Sequence, residues 1–232
     1  VHLVAPASIR DVLEVMLPEV IVHPVGDAGT GAPAAEALHR AATLVERAQA
    51  VVVGPGVGAD AETQAGIRRL LARLEVPAVV DAEAIAALHR PPHPGPRIIT
   101  PHAGELARWS GLPGEPDALA RAESAASLAH DWDAVLLAKG APTVVLTPEG
   151  RRIVNGSGNA GLATAGSGDV LAGIVGAFLA QGMPAAEAAA LAAFVHGRTA
   201  ESLSERVSTR SLIARDLASE LGAVLRALEL TA

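Results

Sequence analysis

The chain has 232 residues, 50% of them hydrophobic, and a formal charge of -7. That length suffices for one α/β domain with a large core, and the acidic balance gives no global attraction to nucleic acid or an anionic membrane. Two Phe, two Trp and no Tyr leave no stacking platform for single strands, and the lack of Cys excludes disulfides, thiolate metal sites and a thiol nucleophile.

The first strand is expected at His2–Ala5, followed by a helix over Ser8–Leu17 that Pro18 stops. VHLVAP lacks the basic start of a signal peptide. Val20–Val25 reads as a second strand and Asp27–Pro33 as a glycine-rich loop. Ala34–Ala48 is amphipathic, with Ala37, Leu38, Ala41, Leu44 and Val45 on one face. A buried-type strand over Ala50–Val53 runs into Gly54-Pro55-Gly56-Val57-Gly58, and a helix then reaches Leu74. Val76–Val80 is the next strand, ending at Asp81, with a short helix over Ala82–Leu88. After a proline-rich loop, Ile98–Ile99 ends at Thr100-Pro101-His102-Ala103-Gly104-Glu105, where another helix begins. Glu115–His130 is read as one further helix.

Ala134–Leu137 is a strand closed by Lys139-Gly140. Thr143–Leu146 and Arg152–Val154 read as an antiparallel pair around Pro148-Glu149-Gly150. Asn159–Gly182 is glycine-rich and small at first, then apolar from Val170, and it is the stretch that organises the chain. The charge-free run Val170–Ala186 is too short and too broken to cross a bilayer. Ala185–Leu203 and Ser211–Leu228 are closing helices. Strands alternating with helices predict one domain over 1–232, with a mostly parallel sheet covered on both faces.

In such a sheet, function sits at the carboxyl ends of the strands. Gly54–Gly58, Asp81, His102, Lys139 and Asp169 all fall there. A glycine-rich loop that opens a helix converges backbone N–H groups on an anion. Asp169, beside that loop, is misplaced for phosphate binding alone. It suits general-base removal of a proton from a hydroxyl that attacks phosphorus. The bland alternative is a tight turn at Gly166 and Gly168 with Asp169 as helix cap.

Gly56-Val57-Gly58-Ala59-Asp60-Ala61, with Asp81 further on, also matches a dinucleotide fingerprint. Pro55 stiffens that turn, and Asp60 would oppose a pyrophosphate, so close approach to another ligand is preferred. His196 lies on an apolar helix and reads as a packing residue or a helix–helix hydrogen bond. No Walker A sequence occurs, and the spacing of His and carboxylates does not suit zinc.

The ordered set GPGVG (54–58), DAEAI (81–85), TPHAGE (100–105), KGAPTVV (139–145) and NAGLATAGSGDVLAGIVGAFLAQG (159–182), then His196-Gly197, resembles the NAD(P)H-hydrate dehydratases. These are the YjeF carboxy-terminal domains of the ribokinase-like superfamily. The resemblance runs over nearly the whole chain. It implies a three-layer αβα ribokinase-like fold. It also implies a metabolite-repair lyase that dehydrates the 6-hydroxy adduct of NADH or NADPH, driven by ADP with release of AMP and phosphate, or by ATP, with Mg2+. By motif match, Lys139, Gly140, Ala141, Pro142, Thr143, Asn159, Gly161, Ala163, Thr164, Ala165, Gly166, Ser167 and Gly168 would hold the nucleotide. Gly56, Gly58, His102, Gly104, Glu105 and Arg108 would line the hydrate site. Asp169 would contact the reacting hydroxyl.

The resemblance further implies a cytoplasmic homo-oligomer, a tetramer being one form, and a possible link to an epimerase domain. Ala165 stands where the family has glycine, and His102-Ala103-Gly104-Glu105 where His-Pro-Gly-Glu is commoner. The family's first strand and glycine-rich, alanine-rich segment are expected before VHLVAP and are missing here. The alternatives are a ribokinase-like kinase for a vitamin-precursor alcohol and a non-catalytic nucleotide-binding domain.

Overall fold

The computed structural model describes residues 1–27, 43–112 and 114–229. The central sheet has six strands in sequential order. They are β3 (Val51–Val53), β4 (Ala78–Val80), β5 (Arg97–Ile99), β6 (Val135–Ala138), β7 (Thr143–Leu146) and β8 (Arg152–Asn155). Strands β3 to β6 run parallel, while β7 and β8 add to the β6 edge as the expected antiparallel pair. β1 (His2–Pro6) and β2 (Ile21–Val25) pair parallel in a separate two-stranded sheet, joined through helix α1 (Arg10–Met16).

Side chains alternate across the sheet and build a core on each face. Val80, Ile99, Leu136 and Val144 point to one side. There they meet Ile67 and Leu71 of α2 (Ala61–Leu71), Leu106 of α3 (Ala103–Ser110), Ala122 of α4 (Ala118–Ser124) and Ala129 of α5 (Ala126–Asp131). Val79, Ile98, Leu137 and Val145 point to the other side. Leu171, Ile174 and Val175 of α6 (Ser167–Ala180) cover them, with Ala188, Ala189 and Ala192 of α7 (Ala185–Ser204) and Leu221 of α8 (Ala214–Glu229). Small side chains let these helices approach closely: a Cβ on Gly176 would collide with Val52. The result is the expected three-layer αβα arrangement.

Several elements differ from the sequence reading. The 115–130 segment is two helices, α4 and α5, broken at Ala125. The segment after β4 is a 3-10 helix over Ala82–Ala87. α6 starts at Ser167, three residues before the apolar run, so Asp169 lies inside its first turn and is not its cap. The helix expected over 34–48 falls largely outside the described residues, of which 43–45 are helical.

Arg97 locks β5 to α2 from within the core, with 1% of its surface exposed. Its Nη1 donates to the carbonyls of Gly95 (2.9 Å) and Pro96 (3.1 Å), and its Nη2 donates to that of Leu71 (3.0 Å). Burial lowers the guanidinium pKa to about 10, which still leaves it charged at neutral pH. Arg97→Met should therefore leave buried carbonyls unpaired and cost about 3 kcal/mol or more in denaturant unfolding. Arg97→Lys should restore only part of this, because one ammonium cannot reproduce the guanidinium fork. A loss below about 1 kcal/mol in Arg97→Met would contradict the clamp.

Candidate active site at the carboxyl ends of the parallel strands

Backbone hydrogen bonds continue past the strand ends and set the site residues side by side. Asp81 N donates to Val53 O (3.0 Å), Thr100 N to Val80 O (3.1 Å) and Lys139 N to Pro101 O (2.9 Å). Gly54 has φ +135°, and a Cβ there would overlap the Asp81 carbonyl, so only glycine lets these two segments touch. Asp81 is 1% exposed. Its Oδ1 accepts from Thr100 Oγ1 (2.7 Å) and from Lys139 Nζ (3.0 Å). Lys139 Nζ also lies 3.7 Å from Glu105 Oε2.

The start of α6 faces this cluster. Gly166 takes φ +80° as N-cap, and no side chain caps the helix. A Cβ on Gly168 would stand 3.2 Å from Lys139 Nζ, so the ammonium lies against the helix's first turn. The other two helix starts are closed. Asp60 accepts from Glu62 N and Thr63 N at the start of α2, both at 3.0 Å. That carboxylate occupies the amides a pyrophosphate would need, which removes the dinucleotide reading of the 56–61 segment. At α3, His102 Nδ1 accepts from Gly104 N (3.0 Å) and Glu105 N (3.3 Å) while Glu105 Oε2 accepts from His102 N (2.7 Å), the Glu105 and His102 bonds forming a capping box. Only α6 of these three presents an uncapped, glycine-led terminus suited to an anion.

The Asp169 carboxyl, on the exposed edge of this cluster, has its pKa raised. Partial burial is the main cause, followed by the charge of Asp81. Lys139 opposes the shift, and Glu83 and Glu105 add to it. A raised carboxylate beside a phosphate site is what a general base requires.

The remaining expected residues divide by what their side chains do. Thr143 Oγ1 donates to Gly140 O (3.0 Å) and closes the turn that follows Lys139. Asn159 spends its amide on shaping and anchoring the loop, accepting from Gly161 N (2.9 Å) within it and donating to Ala200 O of α7 (3.0 Å). Asn159 therefore shapes the 159–168 loop from within. Gly161 is buried against Leu212, whereas Ala163 and Ala165 are exposed and Thr164 and Gly166 half-buried. A side chain at Ala165 has room, so its departure from glycine is tolerated in this conformation. Gly56 and Gly58 both take φ +73° in the loop that leaves Gly54. Arg108, exposed one turn into α3, reaches back beside Gly104. His196 is the helix–helix hydrogen bond expected of it: Nε2 lies 3.2 Å from Ser167 Oγ. Burial lowers its pKa to about 4, so it is neutral at physiological pH.

Two participants were not named as site residues from sequence. Thr100 fixes Asp81, and its place in TPHAGE was the available signal. Arg121, in the middle of α4, brings its guanidinium against Gly140, and nothing in the local sequence marks it.

A family model described as NAD(P)H-hydrate dehydratase matches residues 1–222. The chain belongs to the NAD(P)H-hydrate dehydratase family. It is 38% identical over 229 residues to a bifunctional NAD(P)H-hydrate repair enzyme of Moorella thermoacetica, covering 97% of this chain and 43% of that protein. It thus spans less than half the length of that relative. It is 33% identical over 225 residues to an ADP-dependent (S)-NAD(P)H-hydrate dehydratase of Xanthomonas campestris, covering 97% of this chain and 77% of the other. An ADP/ATP-dependent NAD(P)H-hydrate dehydratase of Bacillus subtilis, co-crystallised with ATP/Mg2+ and soaked with CoA, superposes with a TM-score of 0.81 at 28% identity. That superposition covers 95% of this chain and 78% of the other. The dehydratase family is thus favoured over a vitamin-precursor kinase, and the fold is the expected ribokinase-like one. Among the described residues, no helix is long and apolar enough to cross a membrane.

The shifted Asp169 also predicts a stability effect. Its folded pKa lies above its unfolded value, so the folded state holds that proton more tightly. The contribution is fully present below the unfolded carboxylate pKa and is lost as pH rises through the folded one. Asp169→Asn should therefore raise the melting midpoint at pH 7 by no more than about 2 °C, because solvent screens an exposed carboxylate. The gain should vanish in melts near pH 3. A midpoint lowered at pH 7 would show that the ionised carboxylate is stabilised by its neighbours instead.

Proposed function

We propose that this site dehydrates the hydrate of NADH or NADPH, driven by ADP with release of AMP and phosphate. The observation that carries the reading is Asp169, a carboxylate of raised pKa in the first turn of an uncapped, glycine-led helix, with Lys139 against that turn. A phosphate-binding terminus with a base beside it suits phosphoryl transfer to a hydroxyl. The names of the relatives supply the hydroxyl's owner.

In this reading the nucleotide lies along Lys139–Thr143 and the 159–168 loop. The hydrate meets Gly56, Gly58, His102, Gly104, Glu105 and Arg108. Asp169 accepts the proton of the substrate hydroxyl as that oxygen attacks the terminal phosphorus. The bond from phosphorus to the nucleotide oxygen breaks. First-turn N–H groups of α6 and the Lys139 ammonium stabilise the charge that develops. Hydroxide, a poor leaving group, has then become a phosphate ester. The lone pair of the adjacent ring nitrogen expels the phosphate, and loss of a neighbouring ring proton restores the dihydronicotinamide.

Magnesium fits this site as a companion of the nucleotide. Among the described residues, no three His, Asp or Glu side chains gather as a metal cage. Mg2+ commonly binds through phosphates and water with little help from protein. When bound, it would neutralise phosphate charge beside Asp81, Glu83, Glu105 and Asp169.

Asp169→Asn should retain nucleotide affinity within about threefold and lose turnover by roughly a hundredfold or more. Calorimetry with ADP and ATP, and the recovery of dihydronicotinamide absorbance from prepared hydrate, measure the two. Near-normal turnover in the variant would remove Asp169 from the role. No hydrate turnover by the parent chain with either nucleotide would remove the function.

A further inference from the structure

Asp81 lies at the centre of the site, yet its buried carboxylate has no part in the steps above. Its backbone is fixed from the β3 side, by its own N–H bond to Val53 O and by the Gly54 contact. Thr100 Oγ1, at 2.7 Å, fixes the carboxylate on the β5 side. With both constraints in place, Oδ1 is aimed at Lys139 Nζ, 3.0 Å away. Lys139 is a flexible, strongly hydrated ammonium that would otherwise extend into solvent. Held by Asp81, it rests instead against Gly168. Glu105, itself occupied by the α3 capping box, is the weaker anchor at 3.7 Å.

We propose that Asp81 is a positioning residue for this reaction: its buried carboxylate, set by Thr100 and the Gly54 contact, holds the Lys139 ammonium against the first turn of α6 beside Asp169. The inference rests on the dehydratase reading for its consequence in turnover, but the geometry it asserts is independent of substrate. A second effect accompanies the first. Asp81 is a fixed negative charge near Asp169 and makes that carboxylate hold its proton more strongly. One buried group would thus place the cation and tune the base. The other titratable groups around Asp169 are Glu83 from the turn after β4, His102 and Glu105 from α3, Lys139 from β6, and neutral His196 of α7 through Ser167. Of Asp81, Glu83 and Glu105, the carboxylates that bear on Asp169, Asp81 alone is fully buried and in direct contact with Lys139.

Asp81→Asn keeps the shape and the acceptor for Thr100 but removes the charge. Two spectroscopic readouts need no turnover. In the parent chain, the ζ-nitrogen of Lys139, assigned by its loss in Lys139→Met, should give a protected, slowly exchanging ammonium signal. In Asp81→Asn that signal should broaden or disappear. In a Lys139→Met background, where no cation is left to release, Asp81→Asn should move the 13C carboxyl titration of Asp169, assigned by its loss in Asp169→Asn, to lower pH by about half a unit or more. If the chain turns over hydrate, the acid limb of kcat/KM should follow the Asp169 midpoint in each variant, and kcat of Asp81→Asn should fall about tenfold with a smaller change in KM.

A role in packing alone would move neither the carboxyl midpoint nor the acid limb. Should Asp81→Asn fail to fold, Lys139→Met gives the opposite reading on the same pair: loss of the neighbouring cation should move the Asp169 midpoint upward. An unchanged Lys139 signal in Asp81→Asn would overturn the proposal, as would an unmoved Asp169 midpoint in Lys139→Met. Absence of turnover in the parent chain would instead reject the dehydratase reading while the spectroscopic results still decide the positioning.

Discussion

The buried contact between Asp81 and Lys139 is the interaction on which the rest of the site depends. Taking both charges out of water is costly, and such pairs are weak stabilisers of a fold. This one is retained where it joins two parallel strands to the uncapped, glycine-led start of α6. Removing either partner alone would leave a charge poorly matched at the strand ends. The pair also explains why an acidic chain can present an anion site. It places a single ammonium against an uncapped helix start, adding to the favourable end of the helix dipole.

The fold serves this contact through register. Parallel strands of three or four residues end together, and the next residue of each lies in the candidate site: Gly54, Asp81, Thr100 and Lys139. Each is tied to its neighbour by a backbone bond beyond the strand, so the side chains inherit the precision of the sheet. Beneath them, the alternation Val79/Val80 and Ile98/Ile99 builds two cores at once. Arg97 at the opposite end holds β5 against α2 through carbonyls that no other side chain could satisfy together. Rigid strands below and a glycine-led helix above are the conditions for preorganised electrostatics.

Much of this was legible in the sequence because it is written locally. Short apolar runs ending in polar residues gave the strands, and Gly166-Ser167-Gly168-Asp169 gave the glycine-led turn that opens α6. The antiparallel β7–β8 pair followed from its turn residues. What was not legible depends on distant partners. Ala125 breaks a helix without glycine or proline, so nothing local announced two helices. Arg97 violates the rule that arginine lies outside, and only carbonyls at the end of α2 and in the loops beside β5 justify it. Asp81 was visible as a strand-end acid, but its hydrogen bonds to Thr100 and Lys139 span 19 and 58 residues. The early start of α6 escaped because serine and glycine are poor helix formers on their own. That start changes the chemistry, since it puts Asp169 within the turn and leaves the terminus open.

The central claim is that the substrate hydroxyl attacks phosphorus and leaves as phosphate. An oxygen label decides it directly. Hydrate carrying 18O in its hydroxyl group would be turned over with ADP and Mg2+ in ordinary water, and the phosphate and water analysed by mass spectrometry. The account predicts one 18O atom in the inorganic phosphate released per hydrate consumed. Label appearing in water, with phosphate carrying none, would contradict it, because the carbon–oxygen bond would then have broken without transfer to phosphorus.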